Sequence, residues 1–161
     1  MKLILPLSVT MPRKTKDDRV WILNLNSYRN THFQILNKAK AIYSEWIKAF
    51  VPFYGDTECV SEHMIAPPYR FVYTVFPATA RKFDLANVLP IIQKFTDDTL
   101  IELGIISDDS WKVIKAIDYR FGGIDKENPR AELEIFSWEA PRDKEVLSEK
   151  ADALIDLIRK S

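Results

Sequence analysis

The stretch from Arg81 to Asp109 reads RKFDLANVLPIIQKFTDDTLIELGIISDD. It sets Asp84 ahead of an apolar run, Lys94 and Asp98 within it, and Asp108 and Asp109 just beyond it. Residue types of this kind suit phosphodiester hydrolysis. Converging carboxylates hold one or two Mg²⁺ ions, hard cations that take oxygen ligands and keep several waters. One ion lowers the pKa of an attacking water, and a second stabilises the leaving oxygen. A lysine nearby neutralises charge on the phosphoryl oxygens or positions the water. Asp84, Asp98, Asp108 and Asp109 supply the carboxylates and Lys94 the cation. The same spacing equally describes solvated carboxylates on a helix face and at a turn, so both readings stay open on spacing alone.

Such residues act only if secondary structure positions them. Val88, Ile91, Ile92, Phe95, Thr99 and Leu103 fall on one face of a helix predicted over residues 88–103, which puts Lys94 and Asp98 on a shared face. Gly104 stands where helices end. Pro90 requires the helix to start within the two or three residues before it, with Asn87 as N-cap. Asp84 falls in the connection from a strand predicted over residues 69–76. A helix of about 16 residues is about 24 Å long, so Asp84 and Asp109 meet only if the flanking segments fold back. Residues 110–121 and 131–138 read as a strand pair joined by the turn-rich residues 122–129. Upstream, residues 2–11 read as an opening edge strand, 12–19 as a charged turn, 20–25 as a short strand and 31–50 as an amphipathic helix capped by Asn30 or Thr31. Residues 52–68 read as a loop, and 145–160 as a closing amphipathic helix. The expected fold is α/β (α+β): one domain over residues 1–161, with a mixed sheet and packed helices.

Composition agrees with one globular domain. The chain has 161 residues, 47% hydrophobic and 29% charged, with four glycines and nine prolines. Cys59 is the single cysteine, which excludes an internal disulfide and a Cys-rich zinc site. The apolar opening is broken by Pro6 and Ser8 and lacks a basic flank, and no run reaches the roughly 18 apolar residues of a membrane span. The expectation is a cytoplasmic protein without a membrane partner. The net charge is zero, but residues 1–50 carry +6, residues 51–100 carry −2 and residues 101–161 carry −4. A basic N-terminal third beside acidic remainders can set a phosphate-binding surface next to a carboxylate site, and it also describes a solvated, lysine-rich helix face.

The run Asp84-Leu85-Ala86-Asn87, followed by Lys94, Asp98, Leu100, Gly104 and Asp108-Asp109, resembles the central motif of the RusA-type Holliday junction resolvases. In that family an Asp-x-Asp-Asn segment opens a helix that contains a lysine and ends at a glycine followed by Asp-Asp. Against that pattern Asp84 matches the first motif aspartate, Asn87 the asparagine, Lys94 the helix lysine and Asp109 the later catalytic aspartate. The close match runs from Ala80 to Tyr119. Two departures stand out. Ala86 occupies the place where many members carry the second aspartate. Asn87 and Lys94 are also about four residues, or one helical turn, further apart than the pattern has them.

The resemblance implies a Mg²⁺-dependent endodeoxyribonuclease. It would act as a homodimer on four-way junctions and other branched DNA, cutting by paired symmetric nicks in recombination and repair. Asp84 and Asp109 would bind the metal with support from Asp108 and Asp98, and Lys94 would lie near the phosphoryl oxygens. Arg81, Lys82 and Asn87, and the turn residues Arg13, Lys14 and Lys16, are candidate DNA contacts. Three alternatives stay open: a branched-DNA-binding protein whose site is impaired by Ala86, a metal nuclease acting on flaps or single strands, and a non-enzymatic interaction protein whose acidic cluster is only surface. Trp21, Trp46, Trp111 and Trp138 are candidates for stacking on unpaired bases, though Trp46 lies in an apolar stripe and reads as core. His32, His63 and Cys59 have no companions that suggest chemistry.

Overall fold

The computed structural model describes residues 1–51 and 66–139. Alternating burial forms β1 (Lys2–Leu5), with Leu3 and Leu5 inward and Lys2 and Ile4 outward. The predicted opening strand breaks beyond Leu5, because Pro6 has no N–H to give a ladder, and resumes as β2 (Ser8–Met11). There it pairs antiparallel with β3 (Arg19–Ile22) in a separate two-stranded sheet.

The strand predicted over residues 20–25 ends at Ile22, since Asn24 caps a short helix, α1 (Leu25–Arg29), that the sequence reading did not anticipate. The long helix α2 (Phe33–Phe50) starts after His32, whose ring accepts from the Gln34 amide. Neither Asn30 nor Thr31 caps it. Asn30 closes α1, and the Thr31 hydroxyl is engaged by donating to the Ser27 carbonyl and accepting from Trp21 Nε1.

The main sheet holds β4 (Tyr69–Phe76), β5 (Ile114–Phe121) and β6 (Arg130–Ser137) with β1, in the order β1-β6-β4-β5. Three helices accompany it among the described residues: α1, α2 and α3 (Leu85–Glu102). The sheet is mixed, with β4 and β5 parallel, while β6 runs antiparallel to both β4 and β1. The predicted pairing of the last two strands with each other is therefore corrected. β4, the most apolar strand, lies between them and bonds to both, which buries it on both edges. Because β4 and β5 are parallel, the chain must cross back over the sheet between them, and α3 is that crossover.

α3 also starts earlier than predicted. Asp84, not Asn87, is its N-cap, and Pro90 falls inside the helix. The carbonyl that the missing proline N–H would have reached belongs to Ala86, an exposed residue. Gly104 stops α3 as predicted, with φ of +70°. The Ile105 amide reaches back to the Leu100 carbonyl and the Gly104 amide to that of Ile101, both at 2.9 Å, which is the paired-bond ending that left-handed glycine permits. The predicted closing helix, residues 145–160, lies outside the described residues.

Leu5, Phe71, Tyr73, Val75 and Leu133 from the sheet join Leu89, Ile92, Phe95 and Leu100 of α3 and Tyr43 and Ile47 of α2 in one buried cluster. Phe95 is its meeting point. Trp21 stacks on it at 5.8 Å, while Tyr43 and Tyr28 approach edge-on at 5.6 and 6.5 Å. Trp46, expected in the core, is instead 45% exposed and rests on Phe50 near the end of α2. No helix among the described residues is long and apolar enough to cross a membrane. Truncating Phe95→Ala should cost about 3–5 kcal/mol, read by urea unfolding. A loss below about 1 kcal/mol would mean that the aromatic cluster does not hold the layers together.

Candidate functional site

Parallel pairing decides where each candidate residue goes. Tyr69, at the start of β4, pairs with Ile114, and Val75, near its end, pairs with Phe121. The segment leaving β4 and the segment approaching β5 therefore lie at opposite ends of the strands, about 26 Å apart for eight residues. α3, with 18 residues, bridges about 27 Å.

At the first end, Arg81, Lys82, Asp84 and Asn87 line one cleft of about 400 Å³ with Asn24, Pro77, Thr79 and Phe83. Two helix N-termini open on it, because Asn24 caps α1 and Asp84 caps α3. Asp84 Oδ1 accepts from the Ala86 amide at 2.9 Å, and the Asp84 carbonyl accepts from the Asn87 amide at 3.0 Å. Arg81 and Lys82 are exposed, with no ion-pair partner among the described residues. Their charges and the positive end of α3 suit an anionic ligand. Four residues named from the sequence are thus neighbours here. Arg13, Lys14 and Lys16 stand elsewhere, on the exposed turn between β2 and β3, and do not line this cleft.

At the far end, Asp108 folds its carboxylate over its own turn and accepts from the Asp109 amide at 2.8 Å. Hydrogen bonding from Ser110 and from that amide holds Asp108 below the usual carboxylate range. Asp109 neighbours a residue that the sequence reading passed over, Asp97, which is 2% exposed. Tyr73 donates its hydroxyl to Asp97 Oδ1 at 2.8 Å, Gln93 donates to Oδ2 at 2.9 Å, and Tyr119 donates to Gln93 in turn. Burial first, opposed by these two hydrogen bonds and aided by the negative charges of Asp109 and Asp98, lifts Asp97 from 3.8 to about 6. A sequence signal was present: Leu89, Gln93 and Asp97 recur every fourth residue along the face of α3 that meets β4.

Asp98 turns the other way. Its Oδ2 lies 2.6 Å from Lys40 Nζ on α2 and 3.8 Å from Lys94 Nζ, so the predicted Lys94–Asp98 face exists as an ion-paired one. The structure thus distributes the predicted acids: Asp84 in the cleft, Asp98 against α2, and Asp108 and Asp109 beyond the other end of α3. Among the described residues no three His, Cys, Asp or Glu side chains are placed to hold one metal ion. Among the described residues Asp84 is the one carboxylate lining the cleft, and the Mg²⁺ site that the resemblance implies would need further oxygen donors beside it. No family model matches this chain, and no curated protein matches it.

Asp97 makes stability depend on pH with a definite sign. Its folded pKa lies above the unfolded value, so the folded protein holds this proton more tightly. That advantage is fully present below about pH 4 and is lost as pH rises through about 6, a change of about 3 kcal/mol. Asp97→Asn can keep both partners once the Gln93 amide turns over. It should flatten the slope of stability against pH in that window and raise stability near pH 8 by about 1–3 kcal/mol. An unchanged slope in the variant would assign the titration to another group.

Proposed function

We propose that this chain is a structure-specific endodeoxyribonuclease of the RusA type, a Mg²⁺-dependent homodimer that nicks four-way junctions and other branched DNA. One observation carries the reading. Arg81, Lys82, Asp84 and Asn87, which open the RusA-like motif, line a single cleft at the mouth of α3. Two cations without an ion-pair partner among the described residues, together with a helix N-terminus, supply the attraction for a phosphodiester backbone, a contact that positions DNA without reading its sequence. Asp84 stands among them as the carboxylate that would lie beside a phosphate held there. Its hydrogen bond to the Ala86 amide fixes its direction.

A second reading, binding of branched DNA without cleavage, is favoured by Ala86. It is an exposed residue in the first turn of α3, beside the one carboxylate that lines the cleft among the described residues. An aspartate there would face water and the positive end of the helix, so Ala86→Asp should fold at least as well as the parent.

The deciding experiment uses an end-labelled synthetic four-way junction with Mg²⁺ or EDTA, beside duplex and single-strand controls. Paired, symmetric, Mg²⁺-dependent nicks confined to the junction are expected. Junction binding without nicks, converted to nicking by Ala86→Asp, would replace the first reading with the second. Asp84→Asn keeps the N-cap and should slow nicking by about 100-fold or more while leaving junction affinity equal or tighter. Undiminished cleavage by that variant would remove Asp84 from the chemistry. Arg81→Ala and Lys82→Ala should each weaken binding to all DNA forms and lower the slope of log affinity against log salt by about 1. Unchanged slopes would place the phosphates elsewhere.

A further inference from the structure

Trp111 is the most exposed large apolar side chain of the described residues, at 70%. It sits on the turn into β5, where the Val113 and Ile114 amides both close on the Ser110 carbonyl at 2.9 Å. The ring is therefore carried on a fixed turn and left open to solvent, whereas Trp21 buries its ring against Phe95 and satisfies its N–H. Two cations attend it. Lys115 Nζ lies 4.5 Å from the ring centroid and Lys112 Nζ lies 6.0 Å away. Among the described residues β5 is an outer strand of the sheet, so this assembly stands at the sheet's border.

We propose that Trp111 is a stacking platform for an unpaired DNA base, with Lys112 and Lys115 holding the phosphates on either side of that base. An indole offers a flat face to any base, and a strand that presents one also brings negative charge to the two lysines. Two carboxylates also stand nearby, Asp108 folded onto its own turn and Asp109 beside the buried Asp97, while the two lysines are the charges that attend the ring itself. The proposal rests on the DNA-binding reading above and extends it. The Arg81–Asp84 cleft and Trp111 lie at opposite ends of the β4–β5 pair, so a branched substrate would meet duplex backbone at one end and unpaired bases at the other.

The test is fluorescence polarisation of the full chain with a labelled twelve-nucleotide oligothymidylate and with a four-way junction at low salt, alongside tryptophan quenching. Trp111→Ala should weaken oligothymidylate binding by about 5- to 150-fold, and Trp111→Phe should retain most of it. Removing so exposed a side chain leaves the core intact, which unchanged circular dichroism would verify. Lys112→Ala and Lys115→Ala should lower the salt slope for the same oligonucleotide. Wild-type affinity of Trp111→Ala for oligothymidylate, with Arg81→Ala still impaired on the junction, would overturn the platform and leave the DNA reading standing. A change only in self-association on sedimentation would also overturn it, assigning Trp111 to a protein contact. Absence of any DNA binding by the unaltered chain would overturn both.

Discussion

Parallel pairing of β4 with β5 is the constraint from which the rest of the arrangement follows. Two parallel strands cannot be joined by a tight turn, so the chain must travel back along their whole length before the second begins. α3 makes that journey, and its length of about 27 Å matches the strand length of about 26 Å. Asp84 sets its start and the left-handed Gly104 its stop. The geometry then sorts the polar residues of the motif by where they fall relative to the helix. Arg81, Lys82, Asp84 and Asn87 gather at one end, and Asp108 and Asp109 at the other. The cleft exists because β4, α1 and α3 all terminate or begin around it.

α3 packs against both the sheet and α2, buries polar side chains toward each, and satisfies each face differently. Toward α2, Tyr43 and Thr96 share a buried hydrogen bond of 2.8 Å, and the carboxylate of Asp98 is offset by Lys40. Toward the sheet, Asp97 meets only neutral donors, Tyr73 and Gln93. Among the described residues no buried side-chain nitrogen or oxygen lacks a partner. Burial disfavours the Asp97 carboxylate and the two neutral donors only partly offset it, so Asp97 keeps its proton to higher pH than an ordinary aspartate. Asp97 and Asp98 are neighbours in sequence, yet one meets neutral donors and the other a lysine.

Much of this was legible in the residues themselves. The stripes of α2 and α3 were readable because a helix that buries one face repeats every three or four residues, and Gly104 marked a stop because few other residues tolerate its backbone. Less local features were hidden. Residues 122–129 look like a hairpin turn, yet a strand from 45 or more residues earlier takes the place between β5 and β6; pairing of that kind leaves no trace in the linking segment. Trp46 has the spacing of a core residue, but Tyr43 and Ile47 take the buried face of α2 and leave Trp46 on its exposed side against Phe50. Asp97 was overlooked because the adjacent Asp98, with Lys94 four residues before it, presented the more familiar surface pattern. The cleft was legible in part: its residues were named from a motif, while the split of the acids between two ends of α3 required the topology.

The first strand of the sheet waits longest for its place. Met1 bonds through its backbone to Ile135, 134 residues away, and among the described residues β1 has no strand partner other than β6. During synthesis at about 5–20 residues per second, about 7–27 s separate the emergence of the two. The β4–α3–β5 unit can assemble within that interval, but Leu3 and Leu5 have no ladder to join until β6 arrives. The last described strand therefore acts as the closing seam of the nascent chain, and an interruption of translation before Arg130 would leave the opening residues as unpaired apolar backbone. Such a truncated chain would be a substrate for chaperones and proteases even though most of its core residues had already been made.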